Sequence, residues 1–185
     1  MNRNTRSITQ GALTAALSVI IVLFDRLVSG FIMPFLPLPL IVYGTYHTIN
    51  DTILSYVVTV LLVAIVPGSL PTTILMLMYG LIAIVYLMIV KMKTGNLIKF
   101  ALLALGVSFV YGVMIVNFGV FFGLSYDTAL TEGAMLLKFV GIQNENLVKY
   151  VVYLIIFSTI ILETIIIYIS AKFLVTRIGV HRNNE

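Results

Sequence analysis

In a chain of 185 residues, 61% are hydrophobic and only 10% charged, with a mean hydropathy of +1.12. A water-soluble domain carries about 25% charged residues, so a soluble core of this size is excluded, and one integral membrane domain over residues 1–185 accommodates the chain. The absence of cysteine excludes disulfides, thiol nucleophiles and thiolate metal sites. The net charge of +4 sits in short basic runs flanking apolar segments, which is a topology signal rather than a nucleic-acid footprint.

Arg3 and Arg6 precede an apolar run over 8–24. The run ends in Phe24-Asp25-Arg26 without a small-residue cleavage site, so it reads as a retained first span. Within it, Gly11-Ala12-Leu13-Thr14-Ala15-Ala16 places Ala12 and Ala16 one turn apart on one face, with Gly11 and Ala15 beside them. Small residues at this spacing admit close approach of another helix, in the same bundle or in another chain. Next, Phe31 to Leu40 reads FIMPFLPLPL. Pro34, Pro37 and Pro39 delay a regular helix until about residue 40, and irregular backbone at membrane depth must be buried in protein or line a cavity.

The second and third spans fall at about 32–50 and 52–66, with one overlong helix over 38–66, Asp51 at its middle, as the alternative. Tyr43, Tyr46, His47 and Asn50 follow i, i+3, i+4, i+7 and predict one polar stripe. Interhelical hydrogen bonding accounts for such a stripe better than a cavity wall does. A fourth span at 72–90 and a fifth at 98–122 follow, the latter with a small-residue row, Ala104, Ser108 and Gly112, that suits internal packing. In the loop from Gly123 to Val148, Asp127 is placed to cap a short helix over 129–140. Its Leu130, Ala134, Leu137 and Val140 share a side, and it lies flat at the outer surface as lid or connector. The last span, 149–174, carries Glu163 and leads to a tail at 175–185.

Charge sets the topology. The basic groups Arg3/Arg6, Lys91/Lys93/Lys99 and Lys172/Arg177/Arg182 all belong on the cytoplasmic face, which requires an even number of spans between consecutive groups. The expected fold is therefore all-α: a compact six-helix transmembrane bundle of the cell membrane with both termini cytoplasmic.

Catalytic signatures are missing: no phosphate-binding glycine loop, no His/Glu metal spacing and no G-x-S-x-G elbow. No enzyme activity, metal or cofactor is expected. Tyr79, Tyr111 and Asn117, with Tyr150 and Tyr153 opening the last span, suit a small planar polar ligand through ring surfaces and one directional amide. Glu163, a carboxyl at membrane depth, serves to bind substrate, relay a proton or accept a bond from a neighbouring helix; a structural or coupling role fits best.

The pattern TRSITQGALTAALSVIIVL with its A-x-x-x-A (Ala12, Ala16), the proline-rich first outer loop, the six spans and the chain length resemble the substrate-binding S components of energy-coupling factor (ECF) vitamin transporters. The resemblance implies that Ala12 and Ala16, with Ala15 beside them, face the coupling helices of a separate membrane subunit joined to two cytoplasmic ATPases. It implies a vitamin held near the outer face by Tyr79, Asn117 and Tyr153, with Tyr111 deeper and the loop around Arg26 and Pro34–Pro39 above. A neutral pyridoxine- or hydroxymethylpyrimidine-like ring suits the tyrosines. Glu163 has no counterpart in that family. Two other classes stay open: a scaffold resembling the rod-shape-determining membrane protein of cell-wall elongation, whose acidic glycine-rich second span is not seen here, and a small proton-coupled carrier using Glu163, against which the absence of repeated halves counts.

Overall fold

The computed structural model describes residues 3–28, 32–122, 126–139 and 145–182. These residues form seven α-helices and one 3-10 turn: α1 (Arg3–Leu27), the proline turn (Met33–Phe35), α2 (Leu38–Tyr46), α3 (Ile49–Ile65), α4 (Leu70–Val90), α5 (Asn96–Phe122), α6 (Tyr126–Phe139) and α7 (Glu145–Arg182). Among the described residues, four stretches are long and apolar enough to cross a bilayer: Ser7–Leu27, Leu70–Val90, Asn96–Gly119 and Asn146–Ile178. The expected count of six such helices is not reached.

The shortfall lies where the sequence placed its second span. The prolines confine the start of that segment to a 3-10 turn, and α2 runs for only nine residues before His47 takes an extended conformation. Nine residues of helix reach about 14 Å, half of the roughly 30 Å hydrocarbon layer. The single overlong helix over 38–66 is likewise excluded, because α3 opens with its own cap. Thr48 Oγ1 accepts from the Asp51 amide at 3.2 Å, the bond of an N-cap residue, and its hydroxyl donates to Asp51 Oδ2 at 2.8 Å. Asp51 is therefore a helix-start residue. The 17 residues of α3 fall just short of the four long helices.

Cross-links fix the path. Ile32 N–H donates to Asp25 Oδ1 near the end of α1, while Tyr43 on α2 meets Ser7 near its start, so the proline turn and α2 run back along α1. The α3 helix returns, with Ser55 Oγ donating to Gly11 O and Arg26 donating to Pro67 O beyond its far end. Gly68 turns the chain into α4 at φ +61°, a left-handed conformation that glycine adopts without a Cβ penalty. The Tyr79–Glu163 and Tyr86–Tyr168 contacts show that α4 and α7 run in the same direction. Tyr46 donates to Val175 O, and Gly44 lies against Leu87. Lys91, Lys93, Lys99, Lys172 and Arg177 therefore lie at the end of the bundle where α1 begins.

At the centre is α4, 56% of whose apolar window is buried, against 28%, 22% and 22% for α1, α5 and α7. Its Gly80 admits the Tyr56 ring of α3: a Cβ there would lie 2.1 Å from that ring. The surrounding helices expose large apolar side chains such as Phe109 and Val116, which suits a lipid solvent and would be a liability in water. The connecting helix α6 packs on α7 through Gly133, where a Cβ would come 2.8 Å from Val152 Cγ2. Its half-buried side is Leu130 and Leu137 around that glycine, and Ala134 is exposed. The packed face is thus rotated from the expected one, because the glycine allows the closest approach; Val140 lies outside the described residues.

Candidate functional site

The inward stripe of α4 carries Thr72, Leu75, Met76, Tyr79, Ala83 and Tyr86, the i, i+3, i+4, i+7 pattern of a single helix face. Tyr79 is 1% exposed, and its hydroxyl donates to Oε1 of Glu163, itself 3% exposed. Tyr111 on α5 comes close enough to act on both groups. Glu163 Oε2 has no hydrogen-bond partner. Three helices thus converge on two phenols and one carboxyl with an acceptor left over, in an otherwise apolar core. Leaving a buried acceptor unmade costs about 1–3 kcal/mol, and such a group in a native structure calls for an explanation.

Above this cluster, one turn along α4 on the same face, a crevice with room for about one water is lined by Val22, Asp25, Met33, Leu36, Thr72 and Leu75. The proline turn covers it. Asp25 is buried and accepts the Ile32 amide at 3.0 Å, which pins the start of that cover. Arg26 donates to Pro67 O, Ser69 Oγ and Thr72 Oγ1. These bonds tie the end of α1 to the α3–α4 turn, which is where the structure places this expected substrate-binding residue.

The expected ligand cluster is therefore only partly assembled. Tyr79 and Tyr111 come together, and Glu163, expected to stand apart, joins them. Asn117 does not: it is exposed, and its Nδ2 donates to Val113 O on its own helix at 3.1 Å. Tyr153 and Tyr150 are 55% and 73% exposed, because the inward phase of α7 passes through Val148 and Val152. The sequence hides the Tyr79–Glu163 pair, because a lone carboxyl names no partner; its signal is position, since the two residues lie at similar depth in parallel helices.

The stripe of Tyr43, Tyr46, His47 and Asn50 does not exist as one helix face. The break at His47 puts Asn50 on α3, where it is exposed. Tyr43 bonds Ser7 Oγ at 3.0 Å and stacks on His47 with ring centroids 4.1 Å apart. His47 Nδ1 meets Tyr43 O at 3.0 Å, and Tyr46 donates to Val175 O at 2.9 Å. These contacts tie α1, α2 and α7 together.

On α1, Gly11, Ala15 and Ser18 turn inward, Ser18 being fully buried, while α3 presents Thr52, Ser55, Thr59 and Val63 as its buried row. Ala15 is 0% exposed, so it is not available to a partner subunit; Ala12 and Ala16 are exposed on the outer face. The row expected to pack internally on α5 also faces outward at Ser108 and Gly112, with nothing within 4 Å of a Cβ at Gly112.

Among the described residues, no group of three or more His, Cys, Asp or Glu side chains is placed to hold a metal ion. No protein-family model, no curated protein and no solved structure matches the chain.

Proposed function

We propose that the protein is a membrane-embedded substrate-binding subunit, the S component of an ECF-type importer. It captures a small water-soluble vitamin or vitamin precursor from outside and passes it to a coupling membrane subunit driven by two cytoplasmic ATPases. ATP hydrolysis belongs to those partners. Under this reading the chain sits in the cell membrane with its basic end cytoplasmic, as the positive-inside rule favours.

The observation that carries the reading is the division of α1. Its inner side is buried in this chain's own bundle, with Ala15 at 0% exposure, while Ala12 and Ala16 remain exposed one turn apart. That leaves a smooth face against which a second membrane helix can approach closely.

Replacing Ala12 or Ala16 with tryptophan is expected to abolish uptake in the reconstituted transporter and to leave ligand binding by the purified chain intact. Loss of binding in the same variants would overturn the reading. Mass spectrometry of small molecules released from the purified protein identifies the cargo, and a stoichiometric vitamin-like compound is the expected result.

A further inference from the structure

Three rings mark one level near the basic end of the bundle. Tyr168 of α7 stands edge-on to Tyr86 of α4 and to Phe100 of α5, with ring centroids 6.5 and 5.9 Å apart. One turn nearer the end, the same helix faces carry Val90, Lys172 and Asn96. The linker from Val90 to Asn96 adds Lys91 and Lys93, and Lys91, Lys93 and Lys172 are all exposed. Lys99 is already used, since its Nζ donates to Val90 O at 3.0 Å. Acidic side chains do not balance this group. Among the described residues the one carboxyl at this end is Asp51, which accepts the Thr48 hydroxyl at 2.8 Å, and the first turn of α5 holds no acidic residue. The Thr94 hydroxyl, between Lys93 and α5, is buried without a hydrogen-bond partner.

Apolar surface adjoins the lysines. Leu97 and Ile98 in the first turn of α5 are exposed, as are Ile169 and Phe173 next to Lys172 on α7. A water-soluble acidic partner would match the charges and leave these side chains uncovered. An amphiphile with an anionic head meets both: its phosphate faces the ammonium groups at the aromatic level, and its chains cover the apolar surface. We propose that Lys93 and Lys172 form a headgroup site for an anionic phospholipid, where the start of α5 lies beside α7. Arg177 is not part of it. Its guanidinium lies 5.2 Å from the Phe173 ring, and five residues of helix turn it to a different side of α7 from Lys172. The proposal needs the chain to sit in a membrane and is independent of the S-component reading.

Native mass spectrometry of the purified full-length chain in detergent tests it, by titration with phosphatidylglycerol and with phosphatidylcholine of the same acyl chains. Phosphatidylglycerol is expected to bind about tenfold or more tightly, the ratio that contact with a pair of lysines confers at a membrane surface. Lys172→Gln and Arg177→Gln each remove one charge from the same end. The first is expected to weaken phosphatidylglycerol about fivefold and the second by less than about twofold, with melting temperatures unchanged. Joining Lys93→Gln to Lys172→Gln is expected to bring phosphatidylglycerol down to the phosphatidylcholine level. Equal binding of the two lipids by the wild-type chain overturns the proposal and needs no variant. Equal losses in Lys172→Gln and Arg177→Gln overturn it too, because they show diffuse attraction to the whole basic end. Glycerol 3-phosphate that displaces phosphatidylglycerol at equal concentration overturns the lipid as occupant in favour of a free anion.

Discussion

Two tyrosine clusters in this bundle look alike by composition and differ in what they leave open. At the basic end, Tyr43 meets Ser7 and stacks on His47, His47 meets the backbone of Tyr43, and Tyr46 reaches Val175 O. In the core, Tyr79 and Tyr111 surround Glu163, yet Oε2 has no partner. The first cluster spans three helices with bonds made inside the chain, as a structural tie does. The second stops one bond short. A polar group in an apolar core stabilises the fold only when its bonding capacity is met, so the first cluster works as a fastening and the second carries an unmet acceptor.

Substitutions at the two clusters sharpen that contrast. The largest effect is expected from Tyr43→Ala, which empties a buried ring position and removes the Ser7 contact; about 3 kcal/mol of stability is lost, seen as a lower melting temperature of the purified protein. Ligand affinity of the folded fraction is expected to stay unchanged, and a parallel loss of affinity would break the distinction between the clusters. Tyr79→Phe comes next. It strips the one bond to Glu163 and costs about 1–3 kcal/mol. Combining it with Glu163→Leu is expected to restore most of that stability, because replacing both polar partners with apolar groups is close to neutral. Restored stability with no binding marks the core cluster as a site. Were the double variant less stable than Tyr79→Phe alone, Glu163 would be a fastening too. The smallest effect is expected from Tyr46→Phe, which loses one bond to a backbone carbonyl and about 1 kcal/mol in denaturant or thermal unfolding, with binding unaffected.

The elements were legible in the sequence where local chemistry is strong. The three prolines announced the irregular start of the second segment, and the charge pattern placed the basic groups together at one end, where contacts such as Gly44–Leu87 and Tyr46–Val175 now put them. The break at His47 was hidden, because Tyr43 to Asn50 has the spacing of a continuous helix. Only Thr48 and Asp51, three residues apart, carried the cap that interrupts it. The site was half legible. Tyr79 and Tyr111 were singled out, but Asn117 and Tyr153 were grouped with them by depth alone, and depth says nothing about which side of a helix faces inward.

By itself the sequence determined the lipid-compatible composition, the all-helical class, the proline-broken second segment and the two candidate alanines on α1, while its six spans became four long apolar helices in the fold. All of these follow from residue-level properties: side-chain transfer preference, fixed proline backbone angles and small-residue spacing. Only the tertiary structure decided that Ala15 is buried while Ala12 and Ala16 are free, that Arg26 ties the α3–α4 turn, and that Tyr79 pairs with Glu163. The physical reason is that helices apolar all round carry little amphipathic signal to fix their rotation. Their facing sides are set instead by close-packing devices such as Gly80 against Tyr56 and Gly44 against Leu87, which bring together residues far apart in the chain.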